Sequence, residues 1–252
     1  MPFDPSKPPV IFGEALFDCF SDGTQVLGGA PFNVAWHLAA FGAEPVFVSS
    51  VGGDALGDRI ERAMANRGMS KLGLQRNSFH GTGTVQVTLS EGEPSYDIVA
   101  DRAYDHIDAA ALPSLPSGGL LYHGSLALRG EDSTAALRAL REQTDAAVFV
   151  DVNLRDPWWD AQRVQAMIDG ATWAKLNADE LLLLAPDGAT VAERSPAAAG
   201  ALWSATGDRD PGIERRLRAC RGRCIVSRHA TGQRAGGGCG RCRRRLRIGA
   251  DP

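Results

Sequence analysis

Gly28-Gly29-Ala30-Pro31-Phe32-Asn33 places two glycines, a proline and a carboxamide in six residues, directly ahead of an apolar helical stretch. Glycine lets a backbone come close to a ligand. Proline suits the first turn of a helix, where its missing N–H would be unpaired anyway. Asn33 falls in that first turn, where a side chain and free backbone N–H groups can face a phosphate or a polar small molecule together. The same six residues also describe an ordinary tight turn before a helix. Asp18, Asp151, Asn153 and Asn177 each fall just after a predicted strand, and ligands of open α/β sheets bind at the carboxyl ends of strands.

The elements that must position these residues alternate. Val10-Ile11-Phe12 begins a buried strand that leads through Gly13-Glu14-Ala15-Leu16 to Phe17-Asp18. A helix is expected over 30–41, with Gly42 as its stop, then a strand over 45–51 and an amphipathic helix over 55–67 closed by Gly68. Residues 84–89 alternate apolar and polar with period two and return through 96–99, which predicts a hairpin with one wetter face. It is either an edge hairpin of the main sheet or a lid over a site. Strands over 120–128, 147–151 and 173–176 then alternate with helices over 132–144, 160–170 and 178–185. Strand–helix–strand units of this size build a mostly parallel sheet with helices on both faces.

The chain has 252 residues, 44% of them hydrophobic, enough for one large core or two modest ones. It contains no apolar run long enough to span a membrane and opens without a basic-then-apolar leader, so a cytoplasmic protein with no membrane or nucleic-acid partner is expected. The net charge of -3 hides an asymmetry: residues 215–252 carry twelve arginines, no lysine and one acid, against 15 basic and 29 acidic residues in 1–214. Cys220, Cys224, Cys239 and Cys242 also lie in that tail. A basic nucleic-acid arm and a zinc site both suit parts of this pattern. The reading preferred is a shifted reading frame in a GC-rich gene, because 236–252 has no apolar period of 2 or 3.6.

Six ordered segments, FGEALFD (12–18), GGAPFNVAWHLAAFG (28–42), SSVGGDALGDRI (49–60), LYHGSLAL (121–128), VDVNLR (150–155) and KLNADEL (175–181), resemble the ribokinase-like (PfkB) family of sugar kinases, and bacterial fructokinases most. They cover about residues 10–185, and Cys224-Ile225-Val226-Ser227-Arg228 with Gly232 is a weaker match to the strand and turn lining a nucleotide site. The resemblance implies an α/β fold of ribokinase-like type, with a mostly parallel central sheet, a small β-hairpin lid around 14–22 and 82–100, and C-terminal elements missing. It implies one incomplete kinase domain over 1–235 and an atypical tail over 236–252.

By the same resemblance, Asp18, Gly28, Gly29 and Asn33 contact sugar hydroxyls, so the opening turn becomes a sugar turn rather than a phosphate cradle. Asn153 and Arg155 serve the substrate and, with Lys175, neutralise the phosphate in transit. Lys175, Asn177, Glu180 and Ser227 line the nucleotide, and Asn177-x-x-Glu180 positions Mg2+, with Glu180 as the metal residue. Without the resemblance, Asp18 is a turn carboxylate, and Asn33 and Asn177–Glu180 are helix-start residues. His123 reads as a satisfied residue at a strand end, and Trp158 and Trp159 as packing.

The implied reaction moves the γ-phosphoryl group of ATP to a primary sugar hydroxyl, with fructose the leading substrate and a lid-mediated homodimer as an option. The family's base is the Asp of a Gly-Ala-Gly-Asp motif at a helix start. Gly249-Ala250-Asp251-Pro252 lacks the second glycine, so no catalytic residue is assigned. The expectation is a chain that binds sugar and ATP with Mg2+ but transfers no phosphate as written; the alternative is a non-catalytic sugar-binding or regulatory protein of kinase descent.

Overall fold

The computed structural model describes residues 3–90, 93–184 and 224–227. They fall in two compact units, Met1–Ala147 and Val148–Pro252, each described by itself.

In the first unit, β1 (Val10–Phe12), β4 (Val46–Gly52), β5 (Leu74–Asn77) and β8 (Leu120–His123) form a parallel array in the order β8-β1-β4-β5. Val10 stands beside Val46 on one side and Leu121 on the other, and Ser49 beside Leu74. All seven residues of β4 are buried, Ser49 and Ser50 included, which is why its sequence shows no apolar–polar alternation. The helices α1 (Ala30–Ala40) and α2 (Ala55–Asn66) pack on these strands, and α3 (Glu131–Thr144) on the 3₁₀ turns around them. Phe32 of α1 meets Phe47 of β4 edge-on, with ring centroids 5.6 Å apart.

Both helix stops expected at glycine are built by the same device. Gly42 (φ 83) and Gly68 (φ 73) take the left-handed conformation that closes a helix. Gly42 N–H then donates to Ala39 and Ala43 N–H to Leu38, while Gly68 donates to Ala65 and Met69 to Met64.

A second sheet of four strands stands apart from the parallel array, in the order β3-β2-β6-β7. It consists of β2 (Leu16–Phe20), β3 (Gln25–Gly28), β6 (Gly83–Ser90) and β7 (Glu93–Ile98). The period-two hairpin therefore belongs to its own sheet and is not an edge of the main one. β2 is parallel to β6, and the other pairs are antiparallel. Asp54 ties its root to α2: the carboxylate caps the helix by accepting from Gly57 N–H at 2.8 Å and also accepts from Thr82 N–H and hydroxyl at 2.8 and 2.7 Å. Burial would raise the Asp54 carboxyl's pKa, but these hydrogen bonds outweigh it and hold it below the usual carboxylate value.

In the second unit, β9 (Ala147–Asp151) lies parallel to β10 (Trp173–Leu176), and β11 (Cys224–Ser227) runs antiparallel to β10. The helices are α4 (Ala161–Asp169) and α5 (Ala178–Leu184). The tail cysteines Cys220, Cys239 and Cys242, the turn at Gly232 and the residues 236–252 lie outside the described residues. No helix among the described residues is long and apolar enough to cross a membrane.

Candidate functional site

Of the four residues expected at a sugar, Asp18, Gly28 and Gly29 lie together, and one glycine allows it. Gly29 is the residue before α1 and has φ 107, a backbone conformation that side chains other than hydrogen rarely adopt. A Cβ there would stand 2.5 Å from the carbonyl oxygen of Glu14. The chain between β1 and β2 therefore passes directly against the start of α1. Gly28, one residue earlier, ends β3 opposite Leu16, and Asp18 pairs with Val26 on the same two strands. A Cβ on Gly28 would meet the Asp18 carboxylate at 3.6 Å, so the acid and the glycine pair share one small patch. Asn33 is the fourth residue of α1; its N–H donates to Gly29 O at 2.9 Å and its side chain is exposed.

Behind the turn lies a buried acid that gave no signal in the sequence. Glu14 is 3% exposed, and its carboxylate accepts from Ala30 N–H at the helix start. Deeper still, Arg129 and Asp105 form an ion pair at 2.7 Å, with both side chains under a tenth exposed. Arg129 also donates to Tyr104 Oη and to the Val99 carbonyl, each at 2.8 Å. Burial of the Tyr104 hydroxyl pushes its pKa far above the ordinary phenol value.

In the second unit, Asn177 and Glu180 form a reciprocal cap. Asn177 Oδ1 accepts from Glu180 N–H at 2.8 Å, and Glu180 Oε2 accepts from Asn177 N–H at 2.7 Å. Glu180 Oε1 accepts from Leu154 N–H at 2.9 Å, and the residue is 7% exposed. Each carboxylate oxygen keeps a further lone pair. The donor set is hard oxygen, the kind Mg2+ takes directly or through its own water shell, and the lone pairs left over are available with the cap intact.

Lys175 pairs with Asp151, its neighbour by strand register. Asn153, two residues past β9, has φ 42, a conformation asparagine tolerates. Arg155 is exposed. Ser227 ends β11 opposite Trp173. His123 is fully buried at the end of β8, and its Nδ1 lies 3.0 Å from Gly124 O. Burial pushes the imidazole pKa down to about 4, so it is neutral and unsuited to carrying charge. Trp159 Nε1 donates to Asp156 Oδ1 at 2.6 Å.

A parallel α/β array with a separate four-stranded sheet and a glycine turn feeding a helix defines a ribokinase-like protein. Residues 19–202 match the pfkB family of carbohydrate kinases, and the chain belongs to that family. It is 32% identical to the fructokinase of Escherichia coli over 163 residues, covering 61% of this chain and 53% of that one. Against the fructokinase of Klebsiella pneumoniae, identity is 30%, covering 69% of this chain and 61% of the relative. The chain thus spans between about half and two thirds of the length of these relatives. Among solved structures, the apo fructokinase of Vibrio cholerae superposes with a TM-score of 0.68 at 27% identity, covering 78% of this chain and 72% of that one. A Xylella fastidiosa fructokinase with bound ATP superposes with a TM-score of 0.69 at 26% identity, covering 78% and 65%.

Proposed function

We propose that this chain is the substrate-holding part of a fructokinase-like sugar kinase, with the ketose received on the patch formed by Asp18, Gly28, Gly29 and Asn33. The observation that carries this reading is Gly29, whose positive φ and lack of a Cβ, which would stand 2.5 Å from Glu14 O, let the chain leading into the Asp18 strand lie against the start of α1. The Asp18 carboxylate accepts from sugar hydroxyls, the Asn33 amide donates and accepts, and Gly28 leaves room beside the acid. A Vibrio cholerae fructokinase has been crystallised with fructose, ADP and calcium, which makes fructose the first sugar to try.

On the same reading, Lys175, Asn177, Glu180 and Ser227 receive ATP, and Asn153 and Arg155 neutralise the phosphate in transit. Glu180 and Asn177 hold hydrated Mg2+, whose charge would offset that of the nucleotide phosphates. The protein works in the cytoplasm. Val26 on β3 and Tyr96 on β7 are large exposed hydrophobic residues of the lid sheet, and a lid-to-lid homodimer would cover them.

The 252 residues contain no Gly-Ala-Gly-Asp, so we assign no base, and the polypeptide as written binds sugar without phosphorylating it. The test pairs fructose calorimetry with ADP release under saturating fructose, ATP and Mg2+. Saturable fructose binding with no fructose-dependent ADP release supports the proposal. Turnover at an ordinary enzyme rate of about 1–1000 per second overturns the inactivity, and an absence of binding overturns the sugar site.

A further inference from the structure

At the feet of the lid hairpin, three segments bring His80, Asp101 and His106 together. His80 precedes β6, Asp101 follows β7, and His106 follows the 3₁₀ turn Ala103–Asp105. One ligand atom from each lies within 4.8 Å of the other two. The two imidazole rings stack with centroids 3.7 Å apart and planes 14° from parallel. Both Nε2 atoms face the same Asp101 oxygen, His106 at 2.8 Å and His80 at 3.5 Å.

The hydrogen bonds behind the rings fix where their protons sit. His106 Nδ1 lies 2.8 Å from Asp132 Oδ2, an acceptor, so Nδ1 carries a hydrogen. His80 Nδ1 lies 3.3 Å from Asn77 Oδ1, which also accepts the backbone N–H groups of Phe79 and His80 at 2.9 Å. That atom is therefore the amide oxygen, and His80 Nδ1 carries a hydrogen too. When the rings are neutral, both Nε2 lone pairs point at a carboxylate oxygen. Three acceptors converging with no donor between them repel one another unless a cation sits among them. On a protonated His106 that cation is the Nε2 hydrogen, donated to Asp101 Oδ1 at 2.8 Å.

We propose that His80 Nε2, Asp101 Oδ1 and His106 Nε2 form a binding site for a divalent transition-metal ion of the zinc type. Asn77 and Asp132 hold the two rings from behind. Two imidazoles and one carboxylate suit zinc and its first-row neighbours rather than Mg2+ or Ca2+. Histidine ligands held at the far nitrogen by a carboxylate or amide oxygen are the usual outer support of such sites. At zinc bond lengths of about 2.0–2.1 Å, tetrahedral ligands lie roughly 3.3 Å apart. His106 Nε2 and Asp101 Oδ1, now 2.8 Å apart, must therefore open by about 0.5 Å, while His80 Nε2, at 3.5 Å from the same oxygen, already stands near that spacing. Asp101 is 72% exposed, which leaves the fourth position open to water. An ion here would tie both feet of the hairpin to the turn at His106.

The test uses the full chain with its thiols blocked by iodoacetamide, titrated with Zn2+ at pH 7.5 in the presence of millimolar Mg2+. One ion should bind with micromolar affinity. Long-range imidazole 15N spectra should show Nε2 of His80 and His106 shifting while both Nδ1–H groups persist. His80→Gln and His106→Gln should each weaken binding at least 100-fold, and Asp132→Asn by about 10–100-fold. If His106→Gln does not fold, the partly exposed His80→Gln decides the matter. Zn2+ affinity unchanged in His80→Gln, or no saturable binding below about 1 mM, would overturn the proposal.

Discussion

Replacing Gly29 by alanine separates a steric requirement from a mere preference for glycine. The positive φ of 107 costs an alanine about 1–3 kcal/mol. The new Cβ would also stand 2.5 Å from Glu14 O, a backbone atom that no rotamer change can move aside. Relieving that overlap shifts the segment joining β1 to β2 against the start of α1, and overpacking of this kind costs a further 1–3 kcal/mol or so. A total of about 2–6 kcal/mol corresponds to a fall in Tm of roughly 4–24 °C for a chain of this size. Two other glycines are the controls. Gly23 has φ 86 but nothing within 4 Å of its added Cβ, so Gly23→Ala bears the conformational cost alone. Gly28→Ala meets only Asp18 Oδ2, at an ordinary 3.6 Å, and should leave the fold intact while crowding the acid. Urea unfolding followed by circular dichroism ranks the three. A Gly29→Ala midpoint no lower than that of Gly23→Ala would refute the reasoning.

Three other perturbations have defined outcomes. Arg129→Met leaves Asp105 buried without its cation and should cost about 3–5 kcal/mol in urea unfolding. His123 has a folded pKa of about 4 against an ordinary 6.5, so the unfolded chain binds the extra proton in that window. Stability should fall by up to about 3 kcal/mol as the pH drops from 6.5 to 4, and His123→Gln should flatten that limb. Glu180→Gln keeps one acceptor oxygen for the two N–H groups of Asn177 and Leu154 and should lose about 1 kcal/mol of stability, and Glu180→Ala, which loses both bonds, should lose more. If Glu180 also serves the metal, both variants weaken Mg2+-dependent ATP binding, measured by calorimetry; equal affinity in Glu180→Gln and the parent chain would leave the cap as its whole role.

The fold was legible where local chemistry agreed with global position. Glycine after the last apolar residue predicted the ends of α1 and α2, because only glycine takes the left-handed closing conformation without strain. The strand expected over 120–128 stops at His123, and Leu126–Arg129 forms a 3₁₀ turn instead. Apolar content without a period cannot tell a strand from a buried turn. β3 (QVLG) and β5 (LQRN) were not expected, since each is short, partly polar and held by its register with a neighbour. The turn at 28–33 was readable because its residues are contiguous. Glu14 was not, because a single acid after a strand acquires meaning only once Ala30 arrives beside it. Asp105 and Arg129 stand 24 residues apart, and His80 and His106 stand 26 apart, with no spacing rule linking them.

Whether sugar binds at the turn before α1 is decided by a crystal structure of the full chain with fructose. Sugar hydroxyls should lie within about 2.6–3.2 Å of the Asp18 carboxylate and the Asn33 amide, with the ring against Gly28 and Gly29. Fructose bound elsewhere, with Asp18 and Asn33 making no contact to it, would rule out this turn as the sugar site.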